Sequence, residues 1–472
     1  MKRPLGIGLM VLAGCQSAPS TPGVPSTAFV NVTVIDGTDG PARANQTVVV
    51  TGGRIAALGD AKTVKVPRGA TTIDGTAKFL IPGLWDMHYH ADNDTANQRR
   101  FMAMNVANGV VGVRDMFGSQ SIVALRRRIE SGEVVGTRMV LGSAIFDGPN
   151  PYWPGSVVVG SDSEASAAVA KAKAGGAEFI KVYMLLPPPA FFGILRAAKA
   201  QGLDVAGHVP YAVNPGMASD SGMRTMEHSY DLMFATAAKG SDLERRAAKL
   251  LTTEKFAGFG IYNRLVNEAF ARYDSTAAAS LFAKFKANAT WQVPTLSVMT
   301  GLGRIYDGDY AKDSAFRYMP AAMQKTWTGM RSFFPKWTPA DWDALKTPVA
   351  GYLRMVGDMN RAGVRILAGT DTPNPGTYPG FTLHRELELL VQAGLTPLQA
   401  LQTATRNAAE FLRASDSLGT VAPGKVADLV LLDANPLEAI GNTQRIAGVM
   451  LRGTYRNRAA LDGLLPAAVS TP

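Results

Sequence analysis

Residues 81–90 read Ile81-Pro82-Gly83-Leu84-Trp85-Asp86-Met87-His88-Tyr89-His90, an apolar run that follows a Pro-Gly turn and ends in two alternate histidines. Side chains at positions i and i+2 of a strand point to the same side. His88 and His90 can therefore present two imidazoles to one metal ion. Paired surface histidines are common, so HxH alone is a weak signal, but its place at the end of an apolar strand strengthens it.

Two further histidines also follow strand-like stretches. They are His208 in Val-Ala-Gly-His and His228 in Met-Glu-His-Ser, and the whole chain contains only five histidines. Farther along, the apolar run from Val364 to Asp371 predicts a strand that ends in a carboxylate. A carboxylate at that place can bind a metal ion and also accept a proton from water. These residues extend the HxH pair into a candidate metal site.

Lys181 lies between the HxH pair and His208, in the run Phe179-Ile-Lys-Val-Tyr183. Strand alternation places Phe179, Lys181 and Tyr183 on one face. A charged lysine is costly to bury without a partner. From spacing alone, Lys181 can equally form an ion pair with a nearby carboxylate or have a functional role. Tyr183 can be either a packing residue or a substrate contact.

The central part of the chain alternates helix-like and strand-like patterns. Ser161 to Glu164 is typical of a capping box, the Ala-rich stretch that follows to Ala174 predicts a helix, Gly175-Gly176 ends it, and Phe179 to Met184 predicts a strand. Repeated units of this kind indicate a parallel sheet. Because candidate functional residues recur after apolar runs, we expect an α/β fold, a (β/α)8 TIM barrel over residues 81–415.

Short β-like runs with turn signals occupy both ends of the mature chain. We expect residues 28–80 and 416–460 to assemble into one small β-sandwich domain. The 143 positions from His228 to Asp371 need to hold only two βα units. The excess predicts a helical insertion at about 236–345 that caps the active site; a helical layer on the outside of the barrel is the alternative.

The N-terminus predicts secretion. Lys2 and Arg3 precede an apolar run, and Leu12-Ala-Gly-Cys15 resembles a bacterial lipobox, which makes 1–15 a signal peptide and Cys15 the acylated first residue. Residues 16–27 are then a flexible tether. We expect transport across the inner membrane and a lipid anchor, through Cys15 only, in the outer membrane facing the periplasm. An ordinary secretory signal with an incidental cysteine is the alternative.

Composition excludes some classes of protein. The chain has 472 residues and a net charge of +10, but its Lys and Arg residues are scattered and no nucleic-acid motif accompanies them. No glycine-rich loop has the strand and helix context of a dinucleotide site, and no serine lies in a nucleophile elbow. The expected partner is a small-molecule or dipeptide substrate rather than nucleic acid, and an oligomer is compatible with the sequence.

The order HxH, Lys, His, His, Asp resembles the amidohydrolase superfamily. The resemblance extends to both flanks, in the segments Val48 to Gly59 and Gly419 to Asp433, and to Thr290–Leu296, which is similar to the seventh strand of that family. The sequence looks closest to the imidazolonepropionase-related and Xaa-Pro dipeptidase-like secreted enzymes, partly through His384-Arg-Glu-Leu-Glu388.

This resemblance implies a role for each residue of the candidate site. His88, His90 and Asp371 would hold a first divalent ion and His208 and His228 a second, with zinc as the expected metal. Lys181, carboxylated on its ε-nitrogen, would bridge the two ions. Imidazolonepropionase itself uses one metal ion, so a mononuclear site stays open.

The resemblance also implies a mechanism, in which a metal-bridging hydroxide attacks the scissile carbonyl and a C–N bond of an amide, cyclic amide or dipeptide is cleaved. Asp371 would be the general acid and base, and Tyr230 is a further candidate for substrate contact, with packing as its alternative. Two other functions stay open: hydrolysis of an ester, lactone or phosphoester on the same site, and a non-catalytic, surface-anchored binding protein.

Overall fold

The computed structural model describes residues 25–469 except 230, 231, 239, 255–257 and 347, and only the backbone of 241, 252 and 254. The predicted signal peptide, Cys15, most of the tether and Tyr230 lie outside the described residues, so the predictions made on them stay predictions. Among the helices that are described, none combines the length and the apolar character needed to cross a membrane.

The strands form three groups along the chain: one at the N-terminal end, one within the α/β part, and three strands near the C-terminus. In chain order they are β1 (Ser26–Val34), β2 (Arg43–Thr51), β3 (Arg54–Asp60), β4 (Thr71–Asp74), β5 (Phe79–Pro82), β6 (Leu84–Tyr89), β7 (Val110–Asp115), β8 (Arg138–Leu141), β9 (Phe146–Asp147), β10 (Val157–Val158), β11 (Phe179–Val182), β12 (Asp204–Gly207), β13 (Thr225–Glu227), β14 (Trp291–Val293), β15 (Leu429–Leu432), β16 (Ile446–Leu451) and β17 (Thr454–Asn457).

The helices lie mostly between the strands of the α/β part. In chain order they are α1 (Thr95–Ala107), α2 (Gln120–Glu130), α3 (Asp162–Ala174), α4 (Pro188–Ala200), α5 (Pro215–Asp220), α6 (Leu232–Ala235), α7 (Gly240–Glu254), α8 (Phe259–Ala271), α9 (Ser275–Ala287), α10 (Leu296–Leu302), α11 (Ala321–Thr328), α12 (Pro339–Lys346), α13 (Val349–Ala362), α14 (Phe381–Gln392), α15 (Pro397–Thr403), α16 (Arg406–Phe411) and α17 (Arg458–Asp462). Short 3-10 helices are at Tyr310–Lys312, Phe316–Tyr318, Met330–Phe333 and Ile440–Gln444.

Parallel pairings link eight segments of the α/β part in a cycle. Strands β6, β7 and β8 pair in that order, and β11, β12, β13 and β14 pair in that order. Isolated parallel bridges join the two sets: Gly142 with Phe179, Gln292 with Ile366, and Thr372 with Tyr89. The carboxyl ends of these parallel segments therefore lie on one side, and the α/β class predicted from the sequence is confirmed.

The eighth segment is less regular than the sequence predicts. The run from Val364 to Asp371 was expected to be a strand, but only Ile366 and, just beyond it, Thr372 form bridges. Single backbone hydrogen bonds hold the rest, including Asp371 N to His88 O at 2.8 Å. These bonds fix Asp371 beside β6 without a continuous ladder.

The two ends of the chain share one sheet. Its order is β17-β16-β15-β5-β1-β2-β3, with β4 paired to β1. Ile81 of β5 lies opposite Val430 of β15, so the segment that leads to the HxH pair is held by the C-terminal part of the chain. The apolar side chains of this sheet, among them Phe29, Val48 and Leu429, form a cluster of their own. The predicted sandwich arrangement stays a prediction.

The predicted capping box is not formed. Helix α3 begins at Asp162 as expected, but the Ser161 side chain makes no capping bond to the helix and contacts Ser163 Oγ at 3.0 Å instead. Glu164 Oε2 accepts a hydrogen bond from Gly160 N at 2.7 Å. Because Gly160 precedes the N-cap residue, neither of the two reciprocal bonds of a capping box is present. Strand β11 ends at Val182, two residues before the predicted end.

Candidate metal centre

The candidate residues of the sequence meet at one cavity. His88 lies in β6, Lys181 in β11, His208 directly after β12 and His228 directly after β13, while His90 and Asp371 belong to loops that follow their segments. All six line a cavity of about 720 Å³, and Tyr183 lines it too. Because parallel strands end on the same side, five distant stretches of chain deliver their side chains to one place.

Asp371 lies at the centre of the histidine cluster. Its Oδ1 is 2.9 Å from His90 Nε2 and 3.3 Å from His88 Nε2, and its Oδ2 is 3.8 Å from His228 Nδ1. One potential ligand atom from each of His88, His228 and Asp371 falls within 4.8 Å of the other two. Spacings of this kind allow several side chains to contact one cation.

His208 extends the cluster to the other side of His228. The ring centroids of His208 and His228 are 4.5 Å apart, the same separation as those of His88 and His228. Tyr183 packs edge-on against His208 with its centroid at 4.3 Å. Its hydroxyl accepts a hydrogen bond from Trp153 Nε1 at 2.9 Å.

The backbone is strained where the site residues leave their strands. His228 and Asp371 have φ of 66° and 56°, and Thr295, whose Oγ1 is 2.8 Å from His228 Nδ1, has φ of 47°. Non-glycine residues rarely adopt this left-handed conformation, least of all a β-branched one. Such outliers concentrate at functional sites, where the surrounding structure holds them in place.

Glu227 is a site residue that the sequence reasoning missed. Its side chain is fully buried, and Oε2 lies 2.7 Å from His88 Nδ1. Arg114 Nη2 donates to Oε1 at 2.7 Å and Thr225 Oγ1 donates to the same atom at 2.6 Å. Burial alone raises the pKa of Glu227, but Arg114 and His88 hold it well below its usual range.

The Glu227 carboxylate fixes the orientation of His88. An ionised carboxylate only accepts hydrogen bonds, so Nδ1 of His88 carries the proton. In the neutral imidazole, Nε2 then keeps its lone pair and faces Asp371. A carboxylate behind a metal-binding histidine typically selects the tautomer in this way.

Buried carboxylates also support the ends of β6 and β7. Asp86 accepts hydrogen bonds from His88 N at 3.2 Å and from Thr370 N at 3.0 Å, which ties β6 to the eighth segment. Burial raises the pKa of Asp86 to about 7. Asp115 accepts from Ala91 N at 2.6 Å and fixes the chain just after His90.

The electrostatics favour neutral imidazoles around an anion. Burial first, and neighbouring positive groups second, hold the pKa of His208 well below its usual range. The pKa of His228 is also lowered by burial, against the raising effect of Asp371. Burial would raise the pKa of Asp371, but His228 and His88 hold it well below its ordinary value. Deprotonated histidines and a carboxylate are the forms that bind a cation.

Lys181 is buried, with 1% of its surface exposed. Burial lowers its pKa to about 8, although Glu227 and Asp371 act in the opposite direction. At a given pH, the fraction of Lys181 that is neutral amine is therefore larger than for an exposed lysine. The neutral amine is the form that reacts with carbon dioxide. The residues present therefore suit divalent cations: uncharged imidazole donors, one carboxylate, and an amine that can become an anionic carbamate.

The fifth histidine has a structural role. His384 Nδ1 is 3.0 Å from Thr443 Oγ1 and Nε2 is 3.0 Å from Asn108 O, so it fastens α14 to neighbouring segments. Glu386, two residues farther along α14, accepts hydrogen bonds from the first two amides of α10, Leu296 N at 2.9 Å and Ser297 N at 2.7 Å. This carboxylate supports the segment that carries Thr295.

Part of the cavity wall comes from the stretch predicted as an insertion. Asn263 and Phe259 of α8 line one part of it, and residues of α10 and the segment up to 345 line another. The structure thus brings part of this stretch to the metal centre, while its role as a lid stays a prediction.

Comparisons with known proteins agree with the sequence resemblance. Residues 350–455 match the family described as "Amidohydrolase family". An imidazolonepropionase of Pyrobaculum arsenaticum is 45% identical over 80 residues, which cover 16% of this chain and 19% of that protein. Adenine deaminase 2 of Rhizobium etli is 24% identical over 375 residues, 76% of this chain and 46% of that protein. The matches thus span less than half the length of these curated relatives.

The fold has counterparts among solved structures. A putative prolidase from Bifidobacterium longum superimposes with a TM-score of 0.67 at 23% identity, over 94% of this chain and 98% of that one. At this identity the likeness is one of fold. The family match over residues 350–455 and the sequence relatives agree with the interpretation of the motif order: this chain is similar to members of the amidohydrolase superfamily.

Proposed function

We propose that this chain is a metal-dependent hydrolase that cleaves a C–N bond of an amide, cyclic amide or dipeptide. The observation that carries the proposal is the position of Asp371, whose Oδ1 is within 3.3 Å of Nε2 of both histidines of the HxH pair at the floor of the cavity. Relatives named imidazolonepropionase and adenine deaminase, and a fold neighbour named putative prolidase, favour C–N bonds over other bonds.

Each residue of the candidate site has a separate role in the proposed reaction. His88, His90 and Asp371 would hold one divalent ion and His208 and His228 a second, with zinc as the proposed metal and carboxylated Lys181 between them. Such ions lower the pKa of a water molecule and polarise a carbonyl. Asp371, ionised and with 14% of its side chain exposed, accepts the proton of the attacking water and returns it to the leaving nitrogen. Glu227 holds His88 in the tautomer that leaves Nε2 available.

The cycle of parallel pairings supports a closed (β/α)8 barrel as the scaffold of this site. The cycle has eight members, and the candidate ligands all follow the carboxyl ends of its segments, where enzymes with this scaffold carry their active sites. We propose the division made from the sequence, with the barrel at 81–415 and the two-part β-domain at 28–80 and 416–460.

The cellular address rests on the sequence. The lipobox-like residues around Cys15 support lipid anchoring in the periplasm. Metabolic labelling with a palmitate analogue tests it, with Cys15→Ser as the control. Label retained by the Cys15→Ser protein would contradict anchoring through this residue.

A substrate screen tests the proposed function. The panel contains N-acyl amino acids, Xaa-Pro dipeptides, cyclic imides and aryl esters, assayed with the zinc-loaded wild type, Asp371→Asn, and the surface control Asp433→Asn. We expect hydrolysis of at least one C–N substrate, lost in Asp371→Asn by about 100-fold or more and kept in the control. Undiminished hydrolysis in Asp371→Asn would refute the role of this carboxylate. Activity on aryl esters alone would contradict C–N cleavage and favour ester hydrolysis.

Metal content separates an enzyme from a binding protein. We expect one to two equivalents of zinc per purified chain under replete conditions. Fewer than about half an equivalent would favour a non-catalytic binding protein, because a functional centre of this class needs its ion.

A further inference from the structure

The walls of the cavity differ sharply in character from its floor. Above the metal centre the lining is aromatic and aliphatic. On the side of α8 it includes Tyr152, Trp153 and Phe259, and on the side of α10 it includes Leu302, Phe334 and Trp337. A cavity of about 720 Å³ holds a ligand of drug size, and apolar walls of this kind bind by removing apolar surface from water.

The described lining offers almost no partner for a negative charge. Apart from Lys181 and the four histidines of the floor, the lining residues that the structure describes include neither lysine nor arginine. Two acidic residues, Asp92 and Asp371, do face the cavity. The other polar groups of the described walls are uncharged: the amides of Asn93, Asn263 and Asn374, and the hydroxyl and indole groups of the lining tyrosines and tryptophans. A carboxylate held against these walls would lose water without gaining an ion pair, which is costly.

The mouth of the cavity continues this apolar surface to the solvent. Trp153 and Phe333 both line the cavity, and both are unusually exposed for large apolar side chains, at 40% and 62%. Exposed apolar residues that border a pocket typically mark a binding site. A ligand entering here meets aromatic rings before it reaches any polar group of the floor.

We propose that the substrates of this site are uncharged, predominantly apolar amides, and that a free carboxylate next to the scissile bond is selected against. This inference rests on the proposed function for the bond that is cleaved, and it adds the class of molecule that carries the bond. It excludes free Xaa-Pro dipeptides and N-acyl amino acids as preferred substrates. The preferred class is an acylated amine with apolar groups on both sides of the carbonyl.

A matched pair of amides tests the proposal. N-(3-phenylpropanoyl)phenethylamine and N-(3-phenylpropanoyl)phenylalanine differ by one carboxylate alone. With the zinc-loaded full chain we expect kcat/KM to favour the neutral amide by about tenfold or more, the scale on which an unpaired buried charge is rejected. Equal rates, or a preference for the carboxylate, would overturn the proposal while leaving C–N hydrolysis intact.

A variant that adds the missing cation sharpens the test. Phe333→Arg places a guanidinium at the exposed rim, where it should disturb folding least, and Phe333→Leu removes the ring without adding charge. We expect the preference for the neutral amide to fall by about tenfold in Phe333→Arg and to change little in Phe333→Leu. The preference is the ratio of kcat/KM for the two amides in one protein, so comparing it between variants cancels any general effect of the substitution on the metal centre. An unchanged preference in Phe333→Arg would contradict the electrostatic basis of the selection.

Binding keeps the proposal testable if neither amide is cleaved. In that case the proposed C–N activity fails, and the two compounds are compared as ligands of the Asp371→Asn protein by quenching of tryptophan fluorescence, since Trp153 and Trp337 line the cavity. We expect the neutral compound to bind about tenfold more tightly. Tighter binding of the carboxylate would overturn the substrate class.

Discussion

Replacing Glu227 by glutamine tests whether the buried carboxylate tunes the metal centre. The substitution keeps the volume of the side chain and removes its charge, while Arg114 and His88 both lie 2.7 Å from the carboxylate oxygens. Carboxylates behind metal-binding histidines typically contribute 10- to 100-fold in metal affinity, or about 1.4–2.8 kcal/mol. We therefore expect Glu227→Gln to bind zinc about 10- to 100-fold more weakly than wild type.

The same substitution has a separate cost in folding. Arg114 and Glu227 are both completely buried, so the variant leaves a buried guanidinium without its anion. Removing one partner of such a pair costs about 3–5 kcal/mol. Replacing Glu133, a half-exposed partner of Arg128, by glutamine is the matched control and should cost less than about 1 kcal/mol.

Two measurements separate the two effects. Zinc affinity is measured by competition with a chromophoric chelator, and the free energy of unfolding by urea denaturation of the metal-free proteins. The double variant Arg114→Met/Glu227→Gln removes both buried charges, so most of the lost stability should return. Its zinc affinity should stay low, because His88 still lacks its carboxylate. Zinc affinity within about twofold of wild type in Glu227→Gln would refute the positioning role of Glu227.

Three further outcomes follow from the structure. Lys181→Ala should lose about 100-fold or more in kcat, and acetate or propionate should restore part of the lost activity. The surface control Lys173→Ala should be active without these additives. Full activity of Lys181→Ala without additives would contradict the bridging carbamate. Removing zinc with a chelator should abolish hydrolysis and lower the thermal midpoint, and both should return with zinc; a midpoint that does not move would argue against a resident ion. Burial raises the pKa of Glu386 to about 7 from 4.5, so its contribution to stability should fall as pH rises from 4.5 to 7. Between pH 4.5 and 7, the free energy of unfolding of wild type, measured with urea, should fall relative to that of Glu386→Gln by at most roughly 3 kcal/mol. Free energies of unfolding that change in parallel with pH in the two proteins would contradict the raised pKa.

The sequence predicted the family and the meeting of the candidate ligands for a physical reason. Each of His88, Lys181, His208, His228 and Asp371 follows or ends an apolar run, and parallel segments bring such ends to one side. The position of a side chain at a strand end is a local property, and it can be read from a few neighbouring residues. Their roles as metal ligands stay predictions.

The supporting residues were missed because their partners are distant in sequence. Arg114 and Glu227 are separated by 113 positions, and neither alone forms a motif. A local signal was nevertheless present: Arg114 follows the apolar run Val110 to Val113 within β7, and Asp86 interrupts the apolar run of β6. A charge inside a buried strand needs a partner, so each such interruption predicts a buried ion pair or hydrogen-bond network even where the partner cannot be named.

The charge of Lys181 links the two open descriptions of the metal centre. As an ammonium group, Lys181 is favoured by Glu227 and Asp371 and would repel cations placed beside it. With a single ion at His88, His90 and Asp371, the carboxylates of Glu227 and Asp371 would still offset part of that repulsion. A second ion at His208 and His228 brings positive charge to the other side of the cluster, and the ammonium then becomes unfavourable. Conversion to a carbamate replaces a cation by an anion at the same buried place, so occupancy of the second ion position and modification of Lys181 should be thermodynamically coupled.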